Sequence, residues 1–227
     1  MLPTRAARKK RSWRIMNAVV NKVARLSIVR ARNNRSPSGR AEKSYSYTQM
    51  PISSLAVANC FLDLAEEAEK AVTPMKIQKL VYFAHGWHLA LKGEPLVDEH
   101  PEAWQFGPVF PDLYHHFKEF GSGPIKRRAY GHESSSKGGV FKFRLTTPSL
   151  DELKDETDIQ FAKNVVRRVW EVYGSWTGVQ LSHFTHVPGG PWDVTWQANS
   201  DRKGTDIPDN LIRIYFASKV EQSSKAS

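Results

Sequence analysis

From Ser53 onward the apolar positions form a succession of helical stripes separated by short extended pieces. In "SSLAVANCFLDLAEEAEK" Val57, Phe61, Leu64, Ala65 and Ala68 recur at helical spacing, which predicts a first amphipathic helix. Thr73 as N-cap and Pro74 at the first helical position open a second helix, and Gly93 ends it. Its stripe is Ile77, Leu80, Val81, Ala84, Trp87 and Leu91, while Tyr82, Phe83 and Leu89 make the other sides apolar too. A helix apolar nearly all round is a buried, central one. Residues 94–110 are punctuated by Pro95, Pro101, Gly107 and Pro108, so Leu96-Val97 and Ala103–Phe106 predict a small sheet or hairpin.

The stretch "PDLYHHFKEFG" reads as a short helix with Pro111 in its first turn and Gly121 as its stop. Residues 122–139 read as a Gly/Ser/Lys/Arg loop, and the alternation in "VFKFRLT" as a strand. A longer helix is expected over 155–173, with Ile159, Ala162, Val166, Val169 and Tyr173 on one face. Another follows from Thr177 to His186, then a loop "VPGGPWDVTW", and a last helix from Asp209 to Val220. The expected fold is mainly α (α+β): a single helical domain over 50–220 around a buried central helix, with a small hairpin. Residues 221–227 are expected to be a disordered tail.

Charge changes this picture at one end only. The 227 residues carry a net +10, but residues 1–49 hold thirteen Lys or Arg and one acid, Glu42, a net of +12. The rest sets twenty bases against twenty-two acids, a net of −2. A nearly neutral folded part therefore follows a basic segment. That segment could be an arm binding phosphates or anionic lipid, an Arg-rich targeting peptide, or sequence upstream of a true start at Met50. The last reading is preferred, because no residue before Met50 looks needed by the fold. No apolar run approaches the ~20 residues needed to cross a membrane. The single cysteine, Cys60, excludes an internal disulfide and fits a reducing, cytoplasmic setting.

Candidate chemistry is sparse. His85 and His88 stand i, i+3 on the second helix, close enough to share a metal, and His183 and His186 repeat the spacing in "HFTH". A metal-dependent hydrolase or nuclease built on these pairs is one reading. Against it, the Glu of H-E-x-x-H is missing and no Cys or Asp pair supplies a clear fourth ligand. A histidine among Trp and Phe is more often packed and bonded to a carbonyl. Gly86 costs about 1 kcal/mol in a helix interior, and is expected to admit another element close beside Trp87. There is no G-x-S-x-G, Walker loop, G-x-G-x-x-G or CxxC. No catalytic residue, metal ligand or cofactor is assigned.

Three ordered elements carry a resemblance. The first is a Lys-x-x-Lys-Leu-x-Tyr-Phe-Ala-x-Gly-Trp run at Lys76, Lys79, Leu80, Tyr82, Phe83, Ala84, Gly86 and Trp87. The second is Trp-x-aromatic-Gly-Pro-Val at Trp104, Phe106, Gly107, Pro108 and Val109. The third joins Leu181, Ser182, Thr185 and His186 to Pro191 and Trp192. Together, over about residues 52 to 195, they resemble the Panacea domain family of SocA-like antitoxins, which includes phage-associated proteins of the GepA type. The basic segment before Met50 departs from the family pattern.

The resemblance implies a non-enzymatic antitoxin that silences a protein toxin by direct contact, with a cellular protease as a further partner. Its toxins are of many kinds, so their chemistry is not read from the domain. Nucleic acid would be met only through the basic extension, as a regulator would require; no membrane is involved. A near-neutral, aromatic-rich domain suits a protein-binding module. The contact surface is expected at Lys76, Lys79, Tyr82, Trp104, Phe106, Gly107 and Pro108. Phe106 and Lys79 are expected to flank the turn as exposed side chains. Leu80, Phe83, Gly86, Trp87, Leu181, Ser182, Thr185, His186 and Trp192 are expected to serve the fold. For Trp87 and Trp104 core packing competes with contact.

Overall fold

Thr73 accepts the Lys76 amide at its hydroxyl (3.4 Å), Pro74 occupies the first turn and Gly93 closes the other end at φ +83°. These signals bound the central helix, α2 (Pro74–Lys92), of a computed structural model that describes residues 52–137, 140–199 and 204–224. The basic segment 1–49, the expected start at Met50 and residues 225–227 lie outside the described residues.

Around α2 are arranged α1 (Ser54–Glu67), α3 (Pro111–Phe117), α4 (Glu156–Tyr173), α5 (Gly178–Thr185), α6 (Pro191–Ala198) and α7 (Asp209–Ser224). Two antiparallel hairpins complete the described fold: β1 (Glu102–Trp104) with β2 (Gly107–Val109), and β3 (Gly131–Lys137) with β4 (Val140–Thr146). The domain is mainly α with a small β component, as expected. No helix among the described residues is long and apolar enough to cross a membrane.

Every residue of α2 from Lys76 to Leu89 is buried, because α1, α3, α4, α5, α7 and β2 all pack on it. Gly86 makes the closest of these approaches possible. A Cβ there would lie 2.4 Å from the Phe216 ring of α7, and Trp87 meets the same ring edge-on at 5.0 Å. The element expected beside Trp87 is α7.

A polar side chain on such a helix is costly unless bonded, and Lys76, Gln78, Lys79, His85 and His88 each find a partner elsewhere in the chain. Lys76 donates from Nζ to the Gly174 carbonyl at the end of α4 (2.7 Å), and burial lowers its pKa. Gln78 clamps Phe110, donating to its carbonyl (3.1 Å) and accepting its amide (2.8 Å). His85 accepts the Val97 amide at Nδ1 (3.3 Å) and meets Asp209 Oδ1 at Nε2 (3.0 Å). His88 Nδ1 lies 2.8 Å from the Glu94 carbonyl, and burial holds its imidazole down to about 4.

Three expectations need correction. Residues 131–137, read as loop, form β3, in register from Gly131↔Thr146 to Lys137↔Val140. "GHESSSK" has no β-branched or apolar signature of its own; the partner strand makes it a strand. The expected loop "VPGGPWDVTW" contains α6, with Gly190 as N-cap and Pro191 opening the helix. Its Gly-Gly-Pro lead is also loop punctuation, which hid a helix of eight residues. Finally, α7 continues to Ser224 rather than stopping at Val220.

Candidate functional site

The β1–β2 hairpin pairs Glu102↔Val109, Ala103↔Pro108 and Trp104↔Gly107, leaving Gln105 and Phe106 as its tip. Gly107 carries the left-handed position, φ +99°. A Cβ on it would lie 2.5 Å from Thr185 Oγ1 and 3.0 Å from Lys79 Cε. Glycine is therefore required twice, for the backbone angle and for the space.

The hairpin carbonyls are met by side chains from α2, α5, the α5 C-cap and α6. Trp192 Nε1 donates to Trp104 O (2.8 Å), and Ser182 Oγ donates to Phe106 O (2.8 Å). Lys79 Nζ donates to Pro108 O (2.9 Å). His186 lies between two carbonyls, with ring nitrogens 2.5 Å from Ser182 O and 3.3 Å from Gln105 O. Thr185 Oγ1 donates to Ser182 O (2.7 Å), and the His186 ring packs on Trp192 with centroids 3.8 Å apart. Thus the three sequence elements converge on one turn. Along the other edge, Ala103 N–H donates to Thr205 O (2.8 Å).

Lys79 is the largest correction. Expected as an exposed neighbour of the turn, it is 1% exposed and lies beneath it. Desolvation lowers its pKa to about 7. The cause is the all-round burial of α2: no face of that helix is left for a surface lysine, so the amine finds a carbonyl instead. Lys76 and Tyr82, also expected at the contact surface, are buried, and desolvation holds the Tyr82 phenol well above its ordinary value. Gly107 and Pro108 are buried as well. Of the expected contact residues, Phe106 is 60% exposed and Trp104 is half-buried, its Nε1 donating to Glu102 Oε2 (2.7 Å).

The residues expected to serve the fold lie inward. Leu80, Trp87 and Leu181 are in the core, and Phe83 stacks on Tyr173 at 4.7 Å. Ser182, Thr185 and Trp192 are buried and His186 is half-buried. Sequence reasoning missed Tyr114, which meets Trp104 edge-on at 4.9 Å and is 38% exposed. It also missed Val179, 58% exposed and three residues before Ser182 on α5. An apolar residue out of phase with its helix's buried stripe is the signal that could have found both.

The four-histidine arrangement is not formed. His85 turns to Asp209 and His88 to Glu94, while His183 is exposed and His186 belongs to the hairpin cradle. Among the described residues no group of three His, Cys, Asp or Glu is placed to hold a metal.

A family model described as "Antitoxin SocA-like, Panacea domain" matches residues 77–193, which include Lys79, the whole β1–β2 hairpin, Ser182, His186 and Trp192. The protein described as "Antitoxin SocA" of Caulobacter vibrioides (strain NA1000 / CB15N) is 37% identical over 173 residues, covering 74% of this chain and 86% of the relative. No solved structure matches the chain. With the family model spanning over half the chain and enclosing the cradled hairpin, the chain belongs to the SocA-like antitoxin family, the Panacea domain proteins.

Proposed function

We propose that this chain is an antitoxin that silences a protein toxin by direct contact, and that the tip of the β1–β2 hairpin is the contact surface. Family membership and the name of the Caulobacter relative support the antitoxin role. One observation carries the choice of surface: Phe106 stands 60% exposed on a turn whose carbonyls are bonded from beneath. An aromatic side chain held this way offers a large contact area with little left to order on binding. Half-buried Trp104 and exposed Tyr114 extend the same surface. Lys79, Gly107 and Pro108 support that surface from below, whereas Lys76 and Tyr82 are buried against other elements. The antitoxin acts in the cytoplasm without catalysis, and proteolysis of the bound toxin is a second route to silencing.

The test is co-expression with the reading frame beside its gene. Growth arrest by that frame alone, rescue by this chain and co-purification of the two are expected. Phe106→Ala should abolish or weaken rescue while changing stability by less than about 0.5 kcal/mol. A binding loss of about 2 kcal/mol, roughly thirtyfold in affinity, is the scale for such an anchor. Full rescue by Phe106→Ala would move the surface elsewhere. A neighbouring product that is harmless, or that does not bind, would count against the toxin partner itself.

A further inference from the structure

Three-residue strands form a hairpin with little stability of its own, so the course of β1–β2 depends on what holds it. Gln78 and Thr205 hold its root and outer edge. The side chains that hold its turn come from 29 to 88 residues away: Lys79, Ser182, His186 and Trp192. All four address main-chain carbonyls. They constrain the path of the backbone through Trp104, Gln105, Phe106 and Pro108, while the exposed Phe106 side chain is not among the groups they bind. Lys79, Ser182 and Trp192 are buried, and their donor atoms are already engaged. Direct contact with a partner is not what they are built for. Gly107 completes the device, since a larger residue would push against Thr185 and Lys79 and lift the turn.

Resting on the reading above that the hairpin tip meets the toxin, we infer that Lys79, Ser182, His186 and Trp192 are positioning residues for toxin binding. They hold the backbone of the tip so that Phe106 occupies its binding orientation before the partner arrives. Affinity then depends on side chains that never touch the toxin. A turn released from its cradle samples other orientations, and the apparent association rate falls with the fraction that remains competent.

The test uses Ser182→Ala combined with Trp192→Phe, which removes two donors while retaining an aromatic ring at 192. Hydrogen exchange of the main-chain amides of the paired residues Trp104, Gly107 and Val109 should quicken about ten- to hundredfold, with the amides of Ile77–Leu89 unchanged. Toxin affinity, measured with the purified product of the adjacent reading frame, should fall at least threefold, mainly through slower association. Ser182→Thr, which keeps the hydroxyl, should behave as wild type in both measurements. Phe106→Ala should leave the exchange unchanged and weaken binding mainly through faster dissociation. Tip exchange that does not quicken, or that quickens no more than exchange in α2, overturns the inference. So does a loosened tip with unchanged association. By contrast, wild-type binding by Phe106→Ala sinks the proposed contact surface whatever the exchange shows.

Discussion

The two hairpins are held differently. The short one, β1–β2, is held at its root, where Gln78 clamps Phe110, and is gripped around its turn as well, where Ser182, Lys79 and Trp192 take its carbonyls. The long one, β3–β4, pairs seven residues along its own ladder and is gripped at its root. There Asn59 of α1 donates to Ala129 O (3.0 Å) and Pro148 O (2.9 Å) and accepts the Ala129 amide (2.7 Å). One buried amide thus ties together the chain entering β3 and the chain leaving β4. The difference shows how a hairpin acquires precision. A ladder of seven pairs supplies its own geometry and needs only a fixed origin. Three pairs do not, so the turn itself must be fixed if a side chain on it is to point in one direction.

The comparison breaks most severely at Gly107. Gly107→Val would force a β-branched residue to φ +99° and press its Cβ toward Thr185 Oγ1. A loss of about 3 kcal/mol or more is expected, combining backbone strain with overpacking. Thermal denaturation would measure it, and a change below about 1 kcal/mol would show that the turn is not fixed.

Asn59→Ala attacks the other hairpin at its root. It leaves the Ala129 amide and two carbonyls without their partner, at an expected cost of about 2–3 kcal/mol. Hydrogen exchange should quicken in β3 and β4 while the β1–β2 amides keep their protection. Equal loosening of both hairpins would mean that the two anchors are not independent.

Lys79 separates the anchors by pH, since its fully buried amine gives up its proton far more readily in the fold than in the unfolded chain. Its pKa falls from 10.5 to about 7 on folding, so between those values the unfolded chain holds a proton that the folded chain has lost. Stability must therefore rise with pH across this window, by at most about 1.4 kcal/mol per unit. Lys79→Met cannot titrate, so wild type should gain on that variant between pH 7 and 9. Parallel melting temperatures over this range would show that Lys79 keeps its charge in the fold. Lys79→Ala, innocuous if the residue were exposed, should destabilise through a cavity and a lost bond.

The smallest effect is expected from removing residues 1–49. A chain beginning at Met50 should melt within about a degree of the full chain, consistent with the change of charge and periodicity there. Any nucleic-acid affinity should vanish with the segment and fall steeply with salt before that. Binding that survives the truncation would assign it to the folded domain.

Much of this arrangement could be read along the chain. The stripe from Ile77 to Leu91, with Thr73, Pro74 and Gly93 at its ends, is enough to specify α2 and its central place. The same holds for α4, where Asp155 caps the helix and Ile159, Ala162, Val166, Val169 and Tyr173 face inward. Caps and stripes act over about four residues, so they are written locally. The destination of Lys79, the clasp of Gln78 on Phe110 and the reach of Trp192 to Trp104 were decided only in three dimensions. Their acceptors are backbone carbonyls, which every residue carries and no residue type announces. A strand such as β3 is of the same kind, because its partner strand, rather than its own composition, completes its hydrogen bonds. The sequence determined most of the helices and which one is buried, but not α6, hidden behind its Gly-Gly-Pro lead. Tertiary structure decided which buried polar groups became anchors, and so which aromatic was left outside.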